Sequence, residues 1–339
     1  MLTEKRKIFI TGIAGFLGSH LADVLLKAGH EVHGCDNLQG GYFENIPKNA
    51  IFHQADCKCL NTMNKLFKDI DIIYHTACTA YEGLSVFSPH LVVQNTMQVT
   101  TTVTSAAISQ GVKRIVNFSS MARYGKQSKV PFTEDMIPMP QDPYGIAKYA
   151  AEQLLNCLSF VHGIEVVHAV PHNIIGQRQK YDDPFRNVAS IMINLMLQER
   201  QPIIYGNGEQ KRCFSFVQDI IGCLTKLAFL PEVVGETINI GPDEEFITIN
   251  ELATTIADML NFELNPIYVP NRPQEVKLAT CSADKARRLL GYKTQYTLRQ
   301  GLQEIIDYIQ ERGTRKFKYH LDVEIINDKT PKTWTNKMF

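Results

Sequence analysis

Short apolar runs alternate with longer stretches of helical periodicity through the first half of the chain. Lys7 to Thr11 is a β-branched and aromatic run, and His20 to Ala28 carries apolar residues three and four apart until Gly29 stops it. The same pattern predicts strands at Glu31 to Cys35, Ile51 to His53, Ile70 to His75, Arg114 to Phe118 and Glu165 to Val170. Between them it predicts helices over Cys59 to Lys68, Leu91 to Gln110 and Tyr144 to His162. Such alternation points to an α/β fold with a doubly wound parallel sheet.

Beyond Pro171 the regularity gives way to loops rich in Gly, Pro, Asn and Asp. Helices are expected near Asn187 to Gln198, Val217 to Phe229, Asn250 to Leu260, Ser282 to Leu290 and Leu298 to Gln310. With 339 residues the chain exceeds what one compact core usually holds. Residues 1–170 are therefore read as the sheet domain. Residues 171–339 are read as mainly a smaller lobe that shares its cleft, with some segments returning to the sheet domain. The stretch from Thr314 to Phe339, with the sole tryptophan, Trp334, has no clear period and reads as a packed extension or a partner contact, with disorder as the competing reading.

Composition narrows the function classes. The longest apolar runs, such as Ile70 to Tyr74, are too short to cross a bilayer, so no membrane association is expected. The first strand follows closely on the N-terminal residues with no apolar leader, and a cytoplasmic protein is expected. Formal net charge is zero and basic residues do not cluster, which argues against a nucleic-acid partner. The eight cysteines are scattered, and Cys57-Lys58-Cys59 lacks the spacing of a zinc site, so no metal is expected.

Chemistry enters with Thr11-Gly12-Ile13-Ala14-Gly15-Phe16-Leu17-Gly18, placed where the first strand passes into the first helix. Glycines there permit a tight turn and let a pyrophosphate approach backbone N–H groups at a helix N-terminus, where the dipole also favours anions. Asp36 ends the predicted second strand, where a carboxylate accepts both ribose hydroxyls of an adenosine and repels a 2′-phosphate. The residues that follow, Asn37, Leu38 and Gln39, include no arginine, so NAD is favoured over NADP.

Tyr144-Gly145-Ile146-Ala147-Lys148 sets a tyrosine and a lysine one helical turn apart, facing the same cleft. A nearby ammonium and an oxidised nicotinamide stabilise phenolate, making Tyr144 a usable base near neutrality. Upstream, Ser119-Ser120-Met121-Ala122-Arg123-Tyr124-Gly125 follows a buried-looking strand, where a hydroxyl faces the cleft.

Together the glycine turn, Asp36, Asp56, His75-Thr76-Ala77, Asn95, the Ser120 to Gly125 segment and the Tyr144/Lys148 pair resemble, in order and spacing, the extended short-chain dehydrogenase/reductases. The likeness covers the chain to about Gln310 and is strongest to nucleotide-sugar 4-epimerases of the UDP-galactose type. It implies a Rossmann-type NAD-binding domain with a C-terminal substrate lobe. It implies that Tyr144 takes the proton of the sugar 4-hydroxyl, that Ser120 hydrogen-bonds the same oxygen, and that Lys148 binds the nicotinamide ribose while tuning Tyr144. Asp56 and Cys57 would border adenine, and Thr76, Ala77, Cys78 and Asn95 would line the cofactor's path; His75 reads as a packed histidine.

On the substrate side the resemblance implies a UDP-linked sugar. His172-Asn173 and Asn187 would contact the diphosphate and uracil, Tyr205 would border the base, and Arg212 and Arg272 would hold the diphosphate with two guanidinium forks. Met121 and Ala122 replace the acidic pair of related dehydratases, favouring simple 4-epimerisation by way of a 4-keto sugar. Related decarboxylases carry a glutamate in that segment, which is likewise missing here. Ala279 aligns with a bulky gatekeeper tyrosine, leaving room for an N-acetyl group. Against that, the charged loop with Arg178, Lys180 and Arg186 suits a C6 carboxylate, as in UDP-glucuronate 4-epimerases. A non-catalytic NAD sensor is disfavoured because both Tyr144 and Lys148 are present. Relatives commonly dimerise through the helices at Leu91 to Gln110 and Tyr144 to His162, so a homodimer is expected.

Overall fold

The β-branched runs pair edge to edge in one parallel sheet. In the computed structural model, which describes residues 4–339, its strands are β1 (Lys7–Thr11), β2 (Glu31–Asp36), β3 (Ile51–Gln54), β4 (Ile72–His75), β5 (Arg114–Phe118), β6 (Glu165–Pro171) and a seventh, Thr237–Ile240. Their order across the sheet is 3-2-1-4-5-6-7, every pair parallel. From β1 the chain winds outward to β3 and then crosses back to β4, so a crevice opens at the carboxyl ends of β1 and β4.

Alternation along the strands loads both faces of the sheet. Ile8 and Ile10 pack with Leu21 and Leu25 of helix α1 (Phe16–Lys27) and with Ile220, Leu224 and Leu290. Phe9 points the other way, against Met63, Phe67, Val103 and Leu155. β5 and β6 are buried at nearly every position, and their interior polar side chains, Asn117 and His168, pair with each other at 3.0 Å.

Helices Val217–Lys226 and Asp284–Leu290 and the seventh strand all join the sheet although they lie beyond residue 170. The second hydrophobic core belongs to helices Val188–Met196, Ile249–Leu260 and Leu298–Arg312, the latter two opened by Thr248 and Thr297 capping boxes. Two- and three-residue strands stitch this lobe together: Ile203–Tyr205 pairs with Ile267–Val269, and Lys211–Arg212 lies between Ile247–Thr248 and Leu278–Ala279.

The segment expected as one regular helix from Leu91 to Gln110 contains a wide π turn at Gln94–Gln98, between helices Pro89–Val93 and Val99–Ser109. Thr96, Thr100 and Thr104 each bond the carbonyl four residues back, at 2.7–2.8 Å. Such back-bonding competes with the helical ladder, and π turns of this kind concentrate at functional sites.

Residues 314–339 pack onto the body of the chain. Trp334 is buried against Phe87 and Phe185, and Glu324 accepts the His90 and Leu91 amides at the start of the helix beneath it. No helix among the described residues is long and apolar enough to cross a membrane.

Candidate active site

Helix α1 starts directly from the turn after β1, with Gly15 as its N-cap. A Cβ at Gly18 would stand 2.3 Å from the Gly12 carbonyl oxygen, so only glycine lets the helix seat this close to the turn. The free amides of the first helical turn border a cavity of about 360 Å³ whose floor includes Gly12, Gly15, Phe16, Leu17 and Gly18.

Asp36 closes β2 and is held there by two backbone donors, Ala14 N at 3.0 Å and Leu38 N at 2.7 Å. Burial pushes its carboxyl up, against the pull of the Leu38, Ala14 and Gly15 amides. Each carboxylate oxygen keeps lone pairs for further donors, and the group faces the cavity beside Asn37. Farther along the same wall stand Asp56, which accepts the Lys58 amide at 2.9 Å, and the buried Cys57.

Thr76, Ala77 and Cys78 continue the wall past β4, Thr76 donating to the Thr11 carbonyl at 2.6 Å. Asn95 reaches the same cavity from the π turn, bonded to Thr79 at 2.9 Å and Lys58 at 3.1 Å. His75 does not: it is buried between Thr11 and Thr100, and burial pushes it down to about 3, so it stays neutral.

A second set of residues meets this cavity from β5 and the long helix Pro143–His162. Asp142 caps that helix, accepting the Gly145 amide at 2.9 Å, and Pro143 occupies its first position. A Cβ at Gly145 would lie 2.5 Å from the Ala122 carbonyl, so glycine allows the helix to press against the turn that follows β5. Ser120, the N-cap of that turn, and Tyr144 thereby line one wall.

Burial pushes the Tyr144 phenol well above its ordinary value, Cys78 adding to the effect, while the Ser120 hydroxyl and the Arg186 guanidinium pull it down. Lys148, one turn on, has its ammonium 6.0 Å from the Tyr144 ring centre. It donates to the Phe118 carbonyl at 2.6 Å, which leaves further N–H donors free toward the cavity it lines.

The cavity opens into another of about 300 Å³, the two sharing Glu82, Asn173, Arg186 and Asn187. Tyr205, Arg212 and Arg272 line this second chamber. Arg272 stacks 4.5 Å over the Tyr205 ring, and both arginines face Glu275, at 3.0 Å from Arg272 and 3.8 Å from Arg212. His172 is buried and lines neither chamber, burial pushing its imidazole down to about 4, so that it stays neutral; its neighbour Asn173 is the one that reaches the cleft.

Of the three cations in the charged loop, only Arg186 enters the cleft. Arg178 pairs with Asp23 of α1 at 2.5 Å, and Lys180 sits 5.3 Å over the Tyr42 ring. Arg186 lies 5.2 Å over the Tyr81 ring with its Nε lacking a hydrogen-bond partner. Ala279 is paired beside Arg212 in a short strand and lines neither chamber.

Sequence reasoning alone misses Glu82. It belongs to a four-residue helical turn with no motif around it, yet its side chain projects into both chambers. Glu82 is exposed at the cleft, yet desolvation by its walls, with Asp142 nearby, pushes the carboxyl up to about 7 against the pull of Arg212 and Arg272.

The residues fit NAD by the shape of the turn, which an added Cβ would fill, and by the donor and acceptor set from Gly12 to Lys148. Comparison with known proteins agrees. Residues 8–241 match the model of the NAD dependent epimerase/dehydratase family. The chain is 30% identical over 317 residues to a UDP-glucose 4-epimerase of Mycolicibacterium smegmatis, covering 91% of this chain and 99% of that one. A UDP-glucose 4-epimerase of Thermotoga maritima, solved with UDP-glucose, superposes with a TM-score of 0.85 at 29% identity, over 90% of this chain and 99% of that one. A UDP-glucuronic acid 4-epimerase of Bacillus cereus, solved with UDP-glucuronic acid and NAD, gives 0.84 at 28% identity, over 91% of this chain and all of its own. With the glycine turn, Asp36 and the Ser120, Tyr144 and Lys148 set on one cleft, the chain belongs to the NAD dependent epimerase/dehydratase family.

Proposed function

We propose that the protein interconverts C4 epimers of a UDP-linked hexose, UDP-glucose and UDP-galactose first, through a transient 4-keto sugar. The observation that carries this reading is the order of groups along one cleft: the glycine turn and Asp36 at one end, Arg212 and Arg272 at the other, and Ser120 and Tyr144 between them.

Arg212 and Arg272 grip the diphosphate oxygens, Glu275 yielding its place beside them. Asn173 and Asn187 supply amide groups at the junction, and Tyr205 borders the base. This leaves the sugar beside Tyr144. Ser120 hydrogen-bonds the 4-oxygen and Tyr144 takes its proton; because burial favours the neutral phenol, the Ser120 hydroxyl, the Arg186 and Lys148 charges and the positive charge that bound NAD would bring have to offset it. Lys148 holds the phenolate charge and offers its remaining N–H groups to the cofactor's ribose. Bound NAD supplies the hydride acceptor and, once reduced, the hydride donor. Tyr144 then returns the proton after the ketone has presented its other face. Met121 and Ala122, which follow Ser120, carry no ionisable group, so no acid–base pair for water loss stands next to the reacting hydroxyl.

Arg186 supports a second reading, a UDP-glucuronate type of substrate. A half-buried guanidinium whose Nε is enclosed without a partner, near Tyr144, is a ready receptor for a C6 carboxylate. The deciding experiment follows UDP-glucose, UDP-N-acetylglucosamine and UDP-glucuronate by NMR with the protein and NAD. A 4-epimer of the neutral hexose supports the first reading, and one of the glucuronate alone, lost on Arg186→Met, supports the second. No 4-epimer from any of the three would sink both. A homodimer fits the exposed Ile146 and Phe160 on helix Pro143–His162, and light scattering at a monomer's mass would remove it.

A further inference from the structure

Residues 314–339 do more than cover the second lobe. Thr333 is buried, and its hydroxyl lies 2.5 Å from the phenol oxygen of Tyr205. The Thr333 carbonyl accepts from the Tyr319 hydroxyl at 3.2 Å, and that hydroxyl in turn accepts the Phe339 amide at 3.0 Å. A continuous chain of hydrogen bonds therefore runs from Tyr205 through Thr333 and Tyr319 to Phe339. Phe339 lines the same chamber as Tyr205 and Arg272, and its ring packs against that of Phe317 at 5.5 Å.

We propose that this segment forms part of the substrate site, with Phe339 as an aromatic wall for the nucleoside base and Thr333 fixing the Tyr205 ring. The inference rests on the reading of Arg212 and Arg272 as the diphosphate grip. Labour in the chamber is divided by chemistry. The arginines recognise phosphate charge and are indifferent to the base. Discrimination at the far end needs an apolar face, and Phe339 offers one in the chamber that Tyr205 also lines, the Tyr205 ring itself being set by Arg272 stacking and the Thr333 contact. Anchorage is ample: Trp334 is buried, Arg200 donates to the Met338 carbonyl at 3.0 Å, and Arg315 pairs with Glu44 at 2.8 Å. Phe339 is thus presented on a fixed support.

The test compares wild type, Phe339→Ala and Thr333→Val by calorimetric titration with UDP and, separately, with inorganic pyrophosphate, alongside NAD affinity and Tm. UDP binding should weaken about tenfold in Phe339→Ala and about threefold in Thr333→Val, the scale of one aromatic contact with a base. Pyrophosphate and NAD binding should stay within twofold of wild type, since neither reaches the base end. UDP affinity unchanged in Phe339→Ala overturns the proposal, and so does an equal loss for pyrophosphate, which marks a general disturbance. Failure of the wild-type protein to bind UDP at all removes the underlying reading of the cleft instead.

Discussion

Residues at the glycine-turn end of the cleft and those at its arginine end reach it by different routes. From Gly12 to Asn95 the wall hangs from the carboxyl ends of β1, β2, β3 and β4 or from the helical segments just beyond them, and much of it is backbone: free amides, close glycine contacts, a π turn. At the other end, Asn173, Tyr205, Arg212, Arg272 and Phe339 come from loops and strands of two or three residues, and the wall is side chain. A backbone-built wall depends on which residues are small enough, whereas a side-chain wall depends on which charges and rings arrive together. The first should break through shape and the second through charge.

Tyr144→Phe, where the two ends meet, should have the largest effect. Losing a general acid–base group lowers kcat by about a thousandfold or more, while NAD binding and Tm hold. Activity within tenfold of wild type would contradict the assignment. Gly18→Val comes next. Its Cβ would overlap the Gly12 carbonyl, which stands 2.3 Å away, and a forced overlap of this kind costs about 1–3 kcal/mol. Tm should fall and NAD affinity drop about a hundredfold. A fluorescence titration with NAD matching wild type would show that the turn does not shape the cofactor wall.

Arg272→Ala tests the charge-built end. A hydrogen bond to a charged group contributes about 1.5–3 kcal/mol, so KM for the UDP-sugar should rise about tenfold to a hundredfold with kcat changed little. An equal fall in kcat with KM unmoved would instead place Arg272 in the chemistry. The smallest effect concerns Glu82. Its carboxyl is pushed up to about 7 beside the arginine pair. Below that pH the neutral acid tolerates a diphosphate; above it the carboxylate repels one, so KM should climb severalfold as pH rises from about 6 to 8. Glu82→Gln should flatten that climb, and a KM–pH profile identical in both proteins would exclude the effect.

Much of the backbone-built end is legible in short stretches of sequence. The spacing of Gly12, Gly15 and Gly18, the place of Asp36 after a strand, and the Tyr144/Lys148 repeat are local facts, and periodicity places the first six strands of the sheet and the longer helices to within a few residues, whereas the seventh strand, Thr237–Ile240, and the two- and three-residue strands of the second lobe carry too short a repeat to be read. The π turn at Gln94–Gln98 escapes such a reading because a one-residue widening leaves the apolar pattern almost unchanged. At the side-chain end, the loop offers Arg178, Lys180 and Arg186 as equivalent cations, yet Asp23 and Tyr42, distant in sequence, engage the first two.

By itself, then, the sequence determined the alternating α/β sheet, the phosphate turn and the Ser120, Tyr144 and Lys148 set, because each depends on contacts along a strand, a turn or one helical repeat. Tertiary structure alone decided that Arg186 and Glu82 enter the cleft, that Ala279 and His172 stay out of it, that Thr333 bonds Tyr205, and that Phe339 lines the same chamber. A side chain in a loop without periodicity has no intrinsic direction. Its orientation is set by which distant segments pack around it, here the second lobe and residues 314–339.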